Sequence, residues 1–295
     1  MSQEINKTEK LRQLLAEPGA LVLPGCFDAL TARLIERAGF KGAFMGGFAV
    51  SASRLAAPDT GLISYAEMLD QGRNICAAVD FPVIGDGDTG YGNAVNVQRT
   101  VKGYAAAGIA CVMIEDQVSP KKCGHTQGKQ VVGRIEAFAR IQAAVDARDS
   151  LRQAGADILI MARTDANATD GIEEALLRAR TFAEIGADIT FLEAPKGIEE
   201  MKAYCDGVPG HKMANMVEEG ETPFLPADRL AEIGYKVIIY PISLMLAGIK
   251  AMEDALTAMQ GGAHPENLAG FGHLRDVVGF PEYYKVEKKY ADKGS

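Results

Sequence analysis

The sequence has no long hydrophobic run, few cysteines and no excess of positive charge. Its longest apolar run, residues 237–249, has 13 residues and contains Pro241, whereas a membrane-spanning helix needs about 20 apolar residues. The five cysteines have no C-x-x-C spacing, which is typical of a reducing compartment. The net charge of −8 argues against binding to a phosphate backbone. We therefore expect neither a membrane nor a nucleic acid as partner.

The chain also lacks signals that would divide or export it. Residues 1–13 are charged and contain no apolar segment of the signal-peptide kind, so we expect a cytoplasmic protein. No linker, charge block or low-complexity segment interrupts the sequence, so we expect a single domain over residues 1–295. A C-terminal extension from about residue 262 to 295 follows the last predicted unit, and we expect it to pack on another subunit.

One local pattern recurs: a helical stretch, a glycine and then a short apolar run. The glycines of this pattern are Gly39, Gly108, Gly155, Gly186 and Gly234. A glycine in this place closes a helix in the left-handed conformation, and the apolar run after it is typical of a strand buried on both faces. Such strands alternating with helices predict a parallel sheet.

Eight strands are predicted, over residues 21–24, 42–46, 83–86, 111–115, 158–163, 189–193, 212–215 and 237–240. Helices are predicted between them, for example over residues 29–38, 95–107, 134–154, 172–185 and 226–233. Eight strand–helix units favour an α/β fold of the closed (β/α)8 TIM-barrel type over an open doubly wound sheet.

Most of the predicted strands end in, or are followed by, a polar residue. These residues are Asp86, Asp88, Glu115, Asp116, Arg163, Asp165, Glu193, Asn215 and Ser243. In a barrel they would meet at the carboxyl ends of the strands, where active sites lie. Any one of these residues can be explained as a polar residue at the point where a strand continues into a surface loop. That explanation does not account for polar residues at so many strand ends.

The carboxylates of this set suggest a metal site. Asp86 and Asp88 are two residues apart on an extended backbone and therefore point the same way. Two carboxylates about 4 Å apart repel by roughly 4 kcal/mol at an effective dielectric constant near 20, and Glu115 adds to that cost unless a cation or a proton offsets it. A set of oxygen ligands favours Mg²⁺ over zinc. Asp-Gly-Asp is also common turn chemistry, so the metal site is a hypothesis.

A long predicted loop, residues 116–133, contains the sequence KKCGH at residues 121–125. A loop of that length in a compact domain is usually functional and often a lid. The thiol of Cys123 has lysines and a histidine beside it, so its pKa is tunable near physiological pH. The alternative is a surface loop with an incidental cysteine.

At these residues the sequence resembles the isocitrate lyase and phosphoenolpyruvate mutase superfamily, over nearly the whole chain. The KKCGH stretch is similar to the lyase signature of that superfamily. The supporting segments are PGCFDAL at 24–30, PD at 58–59, DGDTGYG at 86–92, EDQ at 115–117, ARTD at 162–165, NMVE at 215–218 and TP at 222–223. The resemblance implies a barrel whose last helix is swapped between paired subunits, commonly in a homotetramer built as a dimer of dimers.

The resemblance also implies roles for individual residues. Asp86 resembles the direct Mg²⁺ ligand, with Mn²⁺ as the alternative ion. Asp59, Asp88 and Glu115 resemble the groups that hold the water molecules of the ion. The residues implied to be catalytic are Lys121, Cys123, His125, Glu115 and Arg163, with Cys123 in the place of the acid on a mobile loop. The residues implied to bind substrate are Gly46, Gly47, Phe48, Gly124, Arg163, Glu193, Asn215, Thr222 and Ser243.

The chemistry of cleaving a small 2-hydroxy dicarboxylate agrees with this set. The hydroxyl must lose its proton while the 2-oxo product is polarised, and Mg²⁺ serves both needs as a Lewis acid. The leaving carbanion must receive a proton from a nearby acid. A cysteine with a pKa of about 8.5 is mostly protonated at pH 7 and is able to donate. By resemblance the mutase branch lacks this cysteine, so Cys123 favours a lyase.

Two segments bear on the substrate. Methylisocitrate lyases have Ser-Gly-Gly-Gly where this chain has GGFA at residues 46–49, and a different triplet where it has TQG before Lys129. Both departures resemble the branch of 2,3-dimethylmalate lyase and petal death protein, which implies an alkyl-substituted malate, with 2,3-dimethylmalate split into pyruvate and propionate as the first expectation. Cleavage of 2-methylisocitrate to pyruvate and succinate is the second. An oxaloacetate decarboxylase or hydrolase and a non-catalytic barrel are the remaining alternatives.

Overall fold

The computed structural model of the protein describes residues 6–124 and 128–291. Its strands are β1 (Leu21–Cys26), β2 (Ala43–Met45), β3 (Val83–Asp86), β4 (Cys111–Glu115), β5 (Leu159–Thr164), β6 (Ile189–Leu192), β7 (His211–Asn215) and β8 (Val237–Tyr240). All are parallel, each pairs with its neighbours in chain order, and β8 pairs with β1 to close the barrel. The predicted closed barrel is therefore confirmed, and every predicted strand lies within two residues of its expected ends.

Thirteen helices accompany the strands in the described part of the chain. They are α1 (Lys7–Ala16), α2 (Ala29–Arg37), α3 (Gly47–Leu55), α4 (Tyr65–Ala78), α5 (Ala94–Ala106), α6 (Arg134–Gln153), α7 (Ala166–Thr169), α8 (Ile172–Ile185), α9 (Ile198–Gly207), α10 (Ala227–Ile233), α11 (Ser243–Gln260), α12 (Phe271–Val277) and α13 (Phe280–Ala291). Within the described residues, none of them is long and apolar enough to cross a membrane.

Local sequence signals start and end these helices. The glycines predicted to close helices all have positive φ angles, from 82° at Gly155 to 119° at Gly234, in the region that glycine enters without steric cost. At the other end, α2 begins at a capping box: the Asp28 carboxylate accepts from the N–H of Thr31, and the Thr31 hydroxyl accepts from the N–H of Asp28. The predicted helix ends are thus confirmed by backbone geometry.

The interior of the barrel is lined by every second residue of each strand, because successive side chains of a strand point to opposite faces. The inner layer that matters for the site consists of Leu23, Phe44, Ile84, Met113, Met161, Phe191, Met213 and Ile239. Leu11 and Leu15 of α1 belong to the same apolar cluster. The residues two positions further along also face inward, at the carboxyl ends: Gly25, Gly46, Asp86, Glu115, Arg163, Glu193, Asn215 and Pro241.

The chain divides into two compact units, Met1–Leu244 and Met245–Ser295. The first contains the barrel. The second contains most of α11 with α12 and α13, and the extension expected from about residue 262 falls within it. Inside this second unit, Arg275 donates a hydrogen bond to the Tyr284 hydroxyl at 3.0 Å. Its helices expose large apolar side chains, which include Met252, Leu256, Met259, Phe271, Tyr283 and Tyr290.

Candidate active site

A cavity of about 450 Å³ lies at the carboxyl ends of the barrel strands, within the first unit. Ten residues predicted for the site line it: Gly46, Gly47, Phe48, Asp59, Asp86, Cys123, Gly124, Arg163, Glu193 and Asn215. Three more contact lining residues, namely Asp88, Glu115 and Lys121. The volume suits a small-molecule ligand.

The floor of the cavity is apolar. It consists of one side chain from each even-numbered strand, Phe44, Met113, Phe191 and Ile239, which is the layering common in (β/α)8 barrels. These floor residues were not assigned from sequence. The sequence could have indicated them through the period-two alternation of a strand. Each lies two residues before an inward-facing residue at a strand end, namely Gly46, Glu115, Glu193 or Pro241.

Three aspartates and Lys121 meet on one side of the cavity. The Lys121 ammonium lies 2.7 Å from Asp59 Oδ2 and 2.9 Å from Asp88 Oδ1. Asp86 accepts hydrogen bonds from the N–H groups of Gly47 and Asp88, each at 3.0 Å. The four charged side chains are buried. The group is therefore a desolvated cluster with more carboxylates than cations.

Burial and neighbouring charges decide the protonation of this cluster. Desolvation raises the pKa of Asp88 to about 6, against the attraction of Lys121 and with a further contribution from Asp86 and Asp59. Desolvation also disfavours the Lys121 ammonium, but the surrounding carboxylates outweigh it and raise the pKa of Lys121 well above its usual value. Lys121 is therefore a permanent cation that offsets part of the negative charge.

The donor set of the cluster fits a hard divalent cation. All of its donors are carboxylate oxygens, and the buried atoms Asp59 Oδ1 and Glu115 Oε1 accept no hydrogen bond from the described residues. Asp86, Asp88, Asp59 and Glu115 are the residues that would hold such an ion. Across residues 6–124 and 128–291, no three His, Cys, Asp or Glu side chains form a ready-made metal group; the Lys121 ammonium lies among the carboxylates instead.

Arg163 is the centre of a second buried group. Its guanidinium donates to both oxygens of Asp165, at 2.8 and 3.0 Å, and lies 3.1 Å from Glu193 Oε2 and 3.3 Å from Glu115 Oε2. Desolvation raises the pKa of Glu115 well above its usual value, against the attraction of Arg163 and Lys121. These contacts hold Arg163 in one orientation at the cavity wall. Asp165 was predicted to lie at the end of this strand, but no role in binding or catalysis was assigned to it from sequence.

Two described residues of the loop 116–133, Cys123 and Gly124, line the cavity. Cys123 is half-buried. A Cβ atom on Gly124 would lie 2.5 Å from Arg163 Nη2 and 2.6 Å from the Glu193 carboxylate, so the loop presses on this pair and only glycine fits. His125, which was also predicted to act here, lies outside the described residues.

The remaining predicted residues lie near an acidic part of the wall, residues 218–221. The Asn215 amide is 3.4 Å from Glu193 Oε1. Ser243 is not a lining residue, but its hydroxyl donates to Glu218, which is one. Thr222 is buried away from the cavity surface. Glu218 was part of a recognised segment, yet its place in the wall was not anticipated.

Comparison with known sequences gives one family. A family model described as phosphoenolpyruvate phosphomutase matches residues 11–260. The 2,3-dimethylmalate lyase of Eubacterium barkeri is 44% identical, over 97% of this chain and 99% of its own length. The chloroplastic carboxyvinyl-carboxyphosphonate phosphorylmutase of Arabidopsis thaliana is 38% identical over 98% and 87%. A 2-methylisocitrate lyase of Aeropyrum pernix is 39% identical over 96% and 91%.

Solved structures are similar over nearly the whole chain. Oxaloacetate acetylhydrolase in complex with the inhibitor 3,3-difluorooxalacetate has a TM-score of 0.92 and 32% identity, covering 97% of both chains. A trigonal crystal form of 2,3-dimethylmalate lyase has a TM-score of 0.91 and 34% identity, covering 97% and 96%. Phosphonopyruvate hydrolase in complex with oxalate and Mg²⁺ has a TM-score of 0.84 and 29% identity, covering 97% and 100%.

Proposed function

Since the chain belongs to the isocitrate lyase and phosphoenolpyruvate mutase superfamily, we propose that it is a lyase that cleaves a carbon–carbon bond in an alkyl-substituted malate. The reaction favoured is the conversion of 2,3-dimethylmalate to pyruvate and propionate, the substrate named for the 44% identical relative. The observation that carries the proposal is that Cys123 lines the same cavity as Asp86 and Arg163. An acid, a candidate metal ligand and a fixed cation thus face one small volume.

The groups around the cavity divide the binding of substrate between them. Mg²⁺ or Mn²⁺, held by the carboxylates named above, would supply Lewis-acid chemistry at a 2-hydroxy acid. Arg163 offers a guanidinium that Asp165 and Glu193 hold in place. Gly46 caps the N-terminus of α3, where the N–H groups of the first turn attract an anion such as a substrate carboxylate.

Cleavage then requires one proton to leave and one to arrive. The C2 hydroxyl of the substrate loses its proton, the C2–C3 bond breaks to give pyruvate, and the electron pair remains on C3 of the leaving fragment. Cys123 donates its thiol proton to that carbon and so completes propionate. The thiolate then takes up the equivalent of the proton lost by the hydroxyl, so the turnover has no net proton change. The loop would exclude water from the cavity during the protonation of the carbon. Cys123 would then be the proton donor, since water could not compete with it.

The walls of the cavity support an alkyl substituent rather than a third carboxylate. The Phe48 ring lines the cavity and occupies space that a longer substrate would need. The floor is apolar, and the acidic segment 218–221 would repel a further negative charge at the wall. These three features rank 2,3-dimethylmalate above 2-methylisocitrate.

Two alternatives to this function are tested in the same experiment. Hydrolysis or decarboxylation of oxaloacetate is supported by the similarity to oxaloacetate acetylhydrolase. A non-catalytic barrel is the least favoured reading, because the catalytic positions in the described residues carry competent groups.

An assay of wild-type enzyme with Mg²⁺ against alkylmalates, 2-methylisocitrate and oxaloacetate distinguishes these functions. We expect pyruvate from an alkylmalate at the highest kcat/KM. Pyruvate from oxaloacetate alone would indicate a decarboxylase, and oxalate with acetate would indicate a hydrolase. No turnover of any substrate would contradict the enzymatic proposal.

The proposal includes a homo-oligomer, a dimer of dimers in which the last helix is swapped onto a partner. It is supported by the exposed apolar side chains of the second unit, such as Met252, Leu256 and Phe271, because a monomer rarely exposes so much apolar surface. Light scattering should give four times the chain mass of 31.4 kDa. A monomeric mass would contradict it.

A further inference from the structure

Arg178 of α8 contacts both ends of the loop that spans residues 116–133. Its Nη1 donates to Asp116 Oδ2 at 3.0 Å, where the loop begins, and to the Val132 carbonyl at 2.9 Å, where the loop ends. Its Nε donates to Glu174 at 2.8 Å. The residue is only 4% exposed. One buried guanidinium thus joins the two ends of the loop.

The base of the loop is a short antiparallel ribbon. The N–H of Val132 donates to the Asp116 carbonyl at 2.9 Å, and the N–H of Val118 donates to the Gln130 carbonyl at 2.8 Å. Arg178 lies at the end of this ribbon that is furthest along the chain from Cys123. The direction in which the ribbon leaves the barrel therefore decides where Cys123 is placed.

The carboxylate that Arg178 holds also contacts the strand that carries Arg163. Asp116 accepts from the Thr164 hydroxyl at 2.7 Å and from the N–H of Asp165 at 2.9 Å. Asp165 in turn holds the Arg163 guanidinium through two hydrogen bonds. A single chain of contacts therefore connects α8 to both the loop and Arg163.

We propose that Arg178 is a positioning residue for the reaction, which sets the position of the Cys123 loop and the orientation of Arg163 without lining the cavity. Its planar fork reaches a side chain, a backbone carbonyl and Glu174 at once, and a lysine cannot reproduce this geometry because its ammonium is a single point of charge. The kinetic part of the test rests on the proposed lyase function, whereas the structural part does not.

Arg148 of α6 provides a matched control. It is also buried, and its Nη1 donates to one carboxylate, Asp188 at 2.9 Å, and to one backbone carbonyl, Gly186 at 2.7 Å. Both partners precede β6, so the group lies at the opposite end of the barrel from the cavity. Loss of Arg148 removes the same kind of buried pairing without touching the loop.

The experiment compares R178K and R178M with R148K and R148M in the full-length protein. We expect all four variants to melt below the wild type, because each loses buried hydrogen bonds. Only the Arg178 variants should lose kcat and kcat/KM, the latter by about 10²-fold as is typical of small displacements of catalytic groups. Only they should have a loop that trypsin cleaves faster than the wild-type loop in the absence of any ligand, at Lys122 or Lys129.

Wild-type kcat and a wild-type rate of trypsin cleavage in the loop of R178K and R178M would overturn the proposal, because Arg178 would then only stabilise the fold. If R178M does not fold, R178K carries the test, since it keeps a cation beside Asp116. If the wild type shows no lyase activity, the proposed function fails, and the trypsin comparison of R178K with R148K still decides the role of Arg178.

Discussion

The ammonium of Lys121 lies 2.7 Å from a carboxylate oxygen of Asp59, and both side chains are only 5% exposed. Lys121 belongs to the loop that carries Cys123, and Asp59 belongs to the carboxylate cluster. The charge of the cluster and the position of the loop are therefore linked. A divalent cation bound by the same carboxylates would change the attraction that holds the loop.

Asp86→Ala should abolish both turnover and binding of Mg²⁺, because Asp86 is the carboxylate proposed to hold the ion directly. Titration calorimetry with Mg²⁺ measures binding, and pyruvate release measures turnover. Asp80→Ala is the control, since Asp80 is exposed and precedes β3 at the other end of the barrel; it should behave as wild type. Full wild-type activity in excess EDTA would contradict the prediction.

Cys123→Ser should lower kcat by about 10² to 10⁴-fold, the usual range for a general acid, while KM changes little. The hydroxyl keeps the shape of the thiol, but it is a far weaker acid. Steady-state kinetics of pyruvate release measures the loss. Cys205→Ser, at a buried cysteine of α9, should keep kcat, and a near wild-type kcat in Cys123→Ser would mean that another group is the donor.

Gly124→Ala should lower kcat/KM, because the added Cβ would lie 2.5 Å from Arg163 Nη2 and would push the loop off the site. A misplacement of about 1 Å commonly costs about 10²-fold. Gly133→Ala is a control in the same loop, since a Cβ there meets nothing within 4 Å. Equal kinetics in the two variants would show that the contact of Gly124 with Arg163 does not matter for turnover.

Phe48→Ala should raise kcat/KM for 2-methylisocitrate relative to 2,3-dimethylmalate, because it removes a ring from the cavity wall. Pocket contacts of this size shift selectivity by about 1–3 kcal/mol, or roughly 10 to 200-fold. Phe40→Ala is the control: Phe40 is 40% exposed and Phe48 is 42% exposed, but Phe40 does not line the cavity. A wild-type enzyme that prefers 2-methylisocitrate to every alkylmalate would contradict the substrate ranking.

Glu174→Gln should destabilise the protein at pH 7 and should have a much smaller effect near pH 2. Hydrogen bonds from Arg134 and then from Arg178 lower the pKa of Glu174 from 4.5 to about 2, against desolvation. A lowered pKa stabilises the fold above the unfolded value, and the contribution is lost as the pH falls through about 2. We expect about 1 kcal/mol in chemical denaturation at pH 7, because Arg134 is 54% exposed and solvent screens the pair. A difference that is the same at both pH values would contradict it.

The strands and the polar positions at their ends could be predicted because both depend on short-range patterns. The alternation that buries Met161 also points Arg163 inward, and the same spacing relates Ile84 to Asp86 and Met213 to Asn215. The family resemblance, carried by the KKCGH stretch and the strand ends, is confirmed by the match over residues 11–260. Local spacing and residue type thus determined the barrel, the end at which its site lies and the kind of chemistry.

The contacts between distant residues were decided only by the tertiary structure. Lys121 contacts Asp59 across 62 residues of sequence, and Arg178 contacts Asp116 across 62 residues. The local sequence around Lys121 or Arg178 does not predict which carboxylate it will contact. The packing of α8 on the barrel brings Arg178 to the loop, and closure of the barrel brings Arg163 beside Glu193 and Glu115. Desolvation follows from that packing as well, because a carboxylate such as Asp88 acquires its raised pKa only when the whole fold excludes water from it.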